Sequence, residues 1–306
     1  MKLVIATCQF PVDKDINRNT RYVMQQMRQA KEKGAAVAHF SENCHSGYAG
    51  SEFKSYDNFN WDLLYSCGEE ILKLACELKL WVILGSSHRL TGKHKPHNSL
   101  YIINDRGKIV DRYDKLFCVG DKSETTDDLA HYSSGTHFSV FTINGIKCGA
   151  LICHDFRYQE LYREYKRKGV ELMFHSFHVG NYDAKKWKTT LNYFGPRVRK
   201  VKGYTSTSGV LTPPTMQTYA ANNYMWISNN NTSARESAFP SFFVRADGLI
   251  IGMLPRNKAG VLISTVDTKL KMFDASEHWR DRVIHQGILH SGKIRKDKRS
   301  DDRKNF

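Results

Sequence analysis

The chain has 306 residues, 41% hydrophobic and 12% aromatic, a composition that excludes a low-complexity or disordered protein and suits one with a large core. No run approaches the roughly 18 apolar residues of a membrane helix. The apolar start, residues 3–6, is too short for a signal-peptide core and lacks a cleavage site, so a soluble, cytoplasmic protein with no membrane partner is expected. The net charge is +15, with residues 181–210 carrying a net +6 and residues 293–306 a net +4.

Two readings of those basic stretches stand. They are solvated surface and a frayed tail, or they make a catalytically silent protein that holds nucleic acid or an acidic partner. Basic clusters alone discriminate little, so nucleic acid is the less favoured partner. The seven cysteines, at 8, 44, 67, 76, 118, 148 and 153, are odd in number and contain no Cys-x-x-Cys pair. That argues against a disulfide framework and a zinc cluster.

In chain order, residues 3–7 read as a first strand and residues 17–33 as a helix closed by Gly34. Residues 35–40 read as a second strand, which places Glu42 just past a strand's carboxyl end. Residues 45–50 read as loop. Residues 61–78 carry an apolar stripe of helical period, and residues 81–86 form a third strand. This βαβαβ order implies parallel pairing with helical crossovers. Residues 98–103 and 108–113 then flank a Gly-containing turn as a hairpin, followed directly by Lys115. The sheet is therefore expected to be mixed. A polar loop, residues 121–134, leads to a strand at 138–143, the turn Asn144-Gly145 and a buried strand at 147–152.

That buried strand ends at Cys153, and a charged helix is expected over 158–168. Open α/β sheets place chemistry at the carboxyl ends of strands, and a thiol at a helix start is activated as thiolate. The alternative is a buried cysteine serving as a small hydrophobe. A strand at 170–174 ends in His175-Ser176-Phe177-His178, where His175-x-x-His178 makes a loose metal pattern without a third ligand. Residues 181–215, with Pro213-Pro214, read as an irregular basic insertion or lid that carries Trp187, Tyr193 and Tyr204. A short helix over 215–223, a strand over 224–228 and a loop over 229–235 follow. A hairpin about Asp247-Gly248, a last strand at 260–266 and a helix at 272–282 complete the pattern. No composition break marks a second domain: residues 1–285 read as one domain and 286–306 as a basic tail.

Glu42, Lys115 and Cys153 thus occupy comparable places, 73 and then 38 residues apart. In this order, and with Cys153-His154-Asp155-Phe156-Arg157-Tyr158-Gln159-Glu160, the chain resembles the amidase-type branch of the nitrilase, or carbon–nitrogen hydrolase, superfamily. The opening strand ending in Gln9, the block from Asn98 through Gly107 to Lys115, and the hairpin from Ser241 to Gly248 are similar as well.

The resemblance implies an α/β fold, a four-layer α-β-β-α sandwich with two mixed sheets. It also implies a homodimer or higher oligomer packed through the helices near the nucleophile. It implies a cofactor-free, metal-free hydrolase acting on a small linear amide or N-carbamoyl substrate through a Cys acyl-enzyme. Cys153 would be the nucleophile, Glu42 the base, and Lys115 the oxyanion donor. A second acid about 25 residues before the cysteine falls on Asp128, Asp127 or Glu124, with Asp128 preferred. His154, Asp155, Arg157, His175 and Ser176 are the candidate substrate contacts. Asp155 and Arg157 are expected to pair with each other across the nucleophile turn, or with an acidic substrate group. The chain departs from the family pattern at Ser41, Leu116-Phe117, Gln159 and His175-Ser176, and the last of these bears on the pocket.

Overall fold

A computed structural model describes residues 1–181, 188, 192 and 206–304. Two six-stranded sheets face each other. The first has the order β12-β1-β2-β3-β4-β5, with β1 at Lys2–Gln9, β2 at Val37–Phe40, β3 at Trp81–His88, β4 at His97–Ile103, β5 at Ile109–Asp114 and β12 at Gly260–Asp267. The second has the order β11-β10-β9-β8-β7-β6, with β6 at Val140–Ile143, β7 at Ile146–Ile152, β8 at Leu172–Ser176, β9 at Trp226–Asn230, β10 at Phe242–Val244 and β11 at Ile250–Met253. In each sheet three strands run parallel, β1-β2-β3 and β7-β8-β9, flanked by antiparallel neighbours. Both sheets are mixed.

The alternation of side chains along the strands decides the layers. Leu3 and Ile5 of β1 point between the sheets, where they join Ala150, Ile152 and Phe174 of the second sheet in one core. Ala6 and Cys8 point the other way. They meet α1 (Ile16–Glu32) and α2 (Trp61–Leu78), whose buried stripes include Val23, Met27, Ile71 and Leu74. On the far side, α3 (Gln159–Arg167) and α4 (Thr207–Asn223) cover the second sheet with Leu161, Tyr165, Met216 and Ala220. The result is helix, sheet, sheet, helix. Asp15 and Asn60 cap α1 and α2 by accepting from Arg18 N and Leu63 N, satisfying amides that the first helical turn leaves free.

Several elements differ from expectation. α4 begins at Thr207, eight residues before the expected start, and runs through Pro213 and Pro214. Each interior proline removes an intrahelical amide hydrogen bond, and the packing of Met216 and Ala220 into the core holds the helix through them, with Ser206 capping its start by accepting from Gly209 N. The expected irregular stretch over 181–215 therefore ends at 206. Residues 182–187, 189–191 and 193–205 of it, with Trp187, Tyr193 and Tyr204, lie outside the described residues. The helix expected over 272–282 is confined to α5 (Arg280–Gln286), because turns around Asp274 and Ser276 take up the preceding residues. Strands β8 and β9 run two residues further than expected, so His175, Ser176, Asn229 and Asn230 are strand residues. The tail forms one exposed helical turn, α6 (Lys298–Asp301). No helix among the described residues is long and apolar enough to cross a membrane.

Polar side chains are built into the interior. His39 sits between the sheets, with Nδ1 2.8 Å from Ser228 Oγ and Nε2 2.8 Å from Ser176 Oγ. Burial pushes His39 and His175 down to about 3 and His45 down to about 4. All three stay neutral when folded at pH values where an unfolded histidine takes a proton. The unfolded chain then binds more protons, so stability falls as pH drops below about 6.5 toward their folded values. Asp155, pushed up to about 6 by burial, takes its proton earlier in the folded state and offsets part of this loss. The expected net loss is about 2–3 kcal/mol between pH 6 and pH 5, readable by urea unfolding at the two pH values. A flat profile would show that these histidines are not held neutral.

Candidate active site

The strand directions place three side chains at one end of the sandwich. β5 is antiparallel to β4 and β4 to β3, so β5 runs with β2 and β3. Residues that follow β2 and β5 therefore emerge at the same carboxyl end. Glu42 lies in the turn after β2, Lys115 directly follows β5, and Cys153 directly follows β7. The amide of Glu42 donates to Phe177 O just past β8, at 3.3 Å, which joins the two sheets' ends.

The turn carrying Glu42 lies against β3 at Gly85. A Cβ there would sit 2.1 Å from Ser41 O and 2.7 Å from Asn43 N, so only glycine admits this approach. His45 N donates to Gly85 O at 2.9 Å and closes the turn.

Lys115 is fully buried, with its ammonium 2.8 Å from Glu42 Oε1 and 2.6 Å from Asp128 Oδ2. Burial pushes this lysine down, but the Asp128 and Glu42 carboxylates more than offset it and hold it well above the ordinary lysine range. It is a fixed cation. Asp128 is pushed up by burial and drawn down further by Lys115 and Tyr48, so it is an anion below the usual carboxylate range. Tyr48 donates to Asp128 Oδ1, and Val119 N donates to Oδ2 at 3.1 Å. Glu42 Oε1 accepts from Asn98 Nδ2 at 2.7 Å, while Glu42 Oε2 is buried with no partner among the described residues. One oxygen orients the carboxylate and the other is left with a free lone pair.

Cys153 opens a 3₁₀ turn, Cys153–Arg157, at φ +40°. Left-handed backbone at a non-glycine residue is strain retained where the surroundings over-determine it. The anchor is Asp155. It accepts from Tyr113 Oη at 2.7 Å, Phe117 N at 2.9 Å and Ile152 N at 2.9 Å. Burial, and then the Glu42 charge, pushes the Cys153 thiol well up, against Lys115 and a hydrogen bond from the His178 backbone. The resting sulfur is a thiol that needs a base.

Cys153 and Asp128 line a cavity of about 600 Å³ together with Tyr48, His154, Arg157 and His178. Of the three acids left open by the sequence, Asp128 meets Lys115, Asp127 lies on the cavity wall and Glu124 is exposed. Three expected substrate contacts are corrected. Asp155 is fully buried beneath the turn, and it does not pair with Arg157, whose guanidinium lies 4.6 Å from the Phe156 ring centroid. His175 is buried beneath the site, bonded to Tyr162 Oη at 2.5 Å and 3.1 Å from Cys153 O. Ser176 donates to Phe40 O at 2.7 Å between the sheets. Both belong to β8, which ends two residues later than expected and so draws them into the sandwich. His154 and Arg157 do reach the cavity.

Tyr48, Asn98, Glu52 and the His178 backbone were not legible as site residues. Asn98 stood as the start of a hairpin strand and of the block similar to the family, without a role in the site, and Tyr48 and Glu52 lie in a loop without periodicity. No cluster of three or more His, Cys, Asp or Glu side chains among the described residues is arranged to hold a metal.

A family model described as carbon-nitrogen hydrolase matches residues 4–271. A protein described as a hydrolase in the agr operon of Staphylococcus lugdunensis is 29% identical over 147 residues, 47% of this chain and 58% of that protein. A 2-oxoglutaramate amidase of Bacillus subtilis is 30% identical over 78 residues, 26% of this chain and 29% of that protein. An omega-amidase of Xenopus tropicalis is 26% identical over 175 residues, 56% of this chain and 62% of that protein. The matched stretches thus span less than two thirds of each of these relatives. Among solved structures, an amidase from Nesterenkonia sp. superposes with a TM-score of 0.70 at 16% identity, covering 94% of this chain and 96% of that one. The likeness shows the same fold.

Proposed function

The chain belongs to the carbon-nitrogen hydrolase family, and from that premise we propose that it is a thiol amidohydrolase with a Glu42–Lys115–Cys153 triad. Its substrate is a small linear amide or N-carbamoyl compound. One observation carries the reading: a wholly buried ammonium, clasped by Glu42 at 2.8 Å and Asp128 at 2.6 Å, stands behind the cavity that Cys153 lines.

The chemistry follows from the protonation states. Glu42, through its unpartnered Oε2, takes the thiol proton as sulfur attacks the carbonyl carbon. A covalent acyl-enzyme divides a barrier that water alone crosses slowly. Lys115 and the amide of His154 hold the developing oxyanion, and each such donor is worth about 10²–10³ in rate. Glu42 returns the proton to the leaving amine and then activates the water that frees the acyl group. Asp128 keeps Lys115 charged throughout. His154 and Arg157 on the cavity wall contact the rest of the substrate. Every step uses side chains of the protein. In this reading the enzyme is a homo-oligomer joined through α3 and α4, the helices flanking the nucleophile.

The test is ammonia release across linear amides, N-carbamoyl compounds and nitriles, with mass spectrometry of the Cys153 peptide during turnover. Ammonia from an amide or carbamoyl compound, together with an acyl mass on Cys153, is expected. Salt-dependent binding of RNA or DNA without thiol-dependent hydrolysis would replace this reading with a binding protein.

A further inference from the structure

Two loops meet over Cys153, one from each sheet. The first follows β2 and carries Tyr48 and Glu52. The second follows β8 and carries His178. They are joined by an ion pair, with His178 Nε2 2.8 Å from Glu52 Oε1, both side chains at most 3% exposed. Glu52 is held from both sides. Its Oε1 also accepts from Asn181 Nδ2 at 2.6 Å, and its Oε2 accepts from Tyr48 N at 3.1 Å. The Tyr48 ring stacks on the His178 ring, with centroids 4.9 Å apart and planes 18° from parallel.

This pair reaches the triad through Tyr48. The His178 ring supports Tyr48, whose hydroxyl donates to Asp128, which in turn holds Lys115. Tyr48 and His178 both line the cavity.

Resting on the triad reading above, we propose that the Glu52–His178 pair is a positioning pair. It clasps the two loops so that the His178 ring stays against Tyr48 and the Tyr48 hydroxyl stays on Asp128. Neither residue transfers a proton to substrate, and both act through Tyr48, Asp128 and the Cys153 thiol. A buried charge pair does this work better than packing alone, because breaking it leaves a charge without its partner in a low-dielectric site.

The clasp has a sign with pH. The groups facing His178 are Glu52, Tyr48 and Glu42 from the first loop, Lys115 at the end of β5, and Asn181 on its own loop. Burial pushes this histidine down, and Glu52 more than offsets it, so the ring stays charged above the ordinary histidine value. The ionic part of the clasp is complete below about pH 6.5 and is lost as pH rises through that raised value. Replacing Glu52 removes the largest offset and leaves burial and Lys115 opposed only by Glu42, which favours the neutral ring.

The experiment measures the rate at which iodoacetamide alkylates the Cys153 peptide, from pH 6 to pH 9, in the full chain and in Glu52→Gln. Alkylation needs no knowledge of the substrate. At pH 6 the variant is expected to react about fivefold more slowly, the scale of one buried contact to a charge. As pH rises through the raised His178 value the two rates converge, since the parent then loses the charge as well. His178→Phe, which keeps a ring against Tyr48, is expected to give the same pH-dependent ratio, and serves alone if Glu52→Gln does not fold. The double variant is expected to be no slower than either single one. A ratio that is constant with pH, or equal to one throughout, overturns the positioning role while leaving the triad reading intact. No acyl mass on Cys153 during turnover of any linear amide or N-carbamoyl compound overturns both.

Discussion

Cys153→Ala is expected to abolish turnover, by about 10⁴-fold or more as for loss of the nucleophile in other covalent hydrolases, while the fold survives. The two halves of this expectation have separate physical grounds. The sulfur is the atom that attacks, and no other thiol lines the cavity. Water activated by Glu42 is a poor substitute, since a direct attack on an amide forgoes the acyl-enzyme. The stability half rests on the backbone. Residue 153 has φ +40°, and alanine meets the same Cβ crowding there as cysteine, so the strain is unchanged. The turn is pinned by Asp155 through Tyr113, Phe117 and Ile152, none of which the substitution touches. Urea unfolding should therefore shift by less than about 1.5 kcal/mol, the usual scale for losing one small side-chain atom. Cys153→Gly would separate the contributions: it relieves the left-handed strain and gains about 1 kcal/mol, with activity equally absent. Residual turnover in the alanine variant within tenfold of the parent would remove Cys153 from the nucleophile's role.

Glu42 and Cys153 were readable because each follows a strand whose apolar run ends sharply, and Lys115 because it directly follows a hairpin strand with a Gly-containing turn. A mixed sheet was readable from the hairpin after the βαβαβ run, whereas the pair of mixed sheets came only with the family resemblance. What lay hidden depends on where a strand stops. A two-residue shift of β8 toward its carboxyl end turned His175 and Ser176 from pocket residues into interior ones. Asp155 and Arg157 invited pairing by proximity, yet the three donors around Asp155 come from β5, the residues after it and the strand before it, which no local pattern reveals. The Pro213-Pro214 pair read as a breaker because propensity weighs each residue alone, whereas α4 is held by Met216 and Ala220 packed into the core. The Glu52–His178 contact spans 126 positions and joins two loops without periodicity. His178 drew notice only through its spacing from His175, which points elsewhere.

Lys115→Met is expected to be the most damaging substitution in the chain, and its damage should respond to pH in a way that identifies its cause. Methionine fills most of the volume but removes the ammonium that both carboxylates contact. Glu42 is 0% exposed and Asp128 5% exposed, and both contact the same ammonium. Leaving them buried without it costs about 3–5 kcal/mol, against a total stability of only about 5–15 kcal/mol. Two like charges in one site raise the pKa of one of them in the folded state. The penalty from the bare carboxylates is therefore absent below the ordinary carboxylate range and grows as pH rises through the raised folded value. It opposes the trend that the variant shares with the parent, in which acid weakens the fold because His39, His45 and His175 take protons only when unfolded. The two stability curves should converge as pH falls from 7 to 5, and Lys115→Met/Asp128→Asn should recover much of the loss at pH 7 by removing one charge. Activity should return in neither variant, since the donor that faces the oxyanion is gone, a loss of about 10²–10³ in rate. Stability that is insensitive to pH in Lys115→Met would mean that Glu42 and Asp128 do not share their buried charge through this lysine.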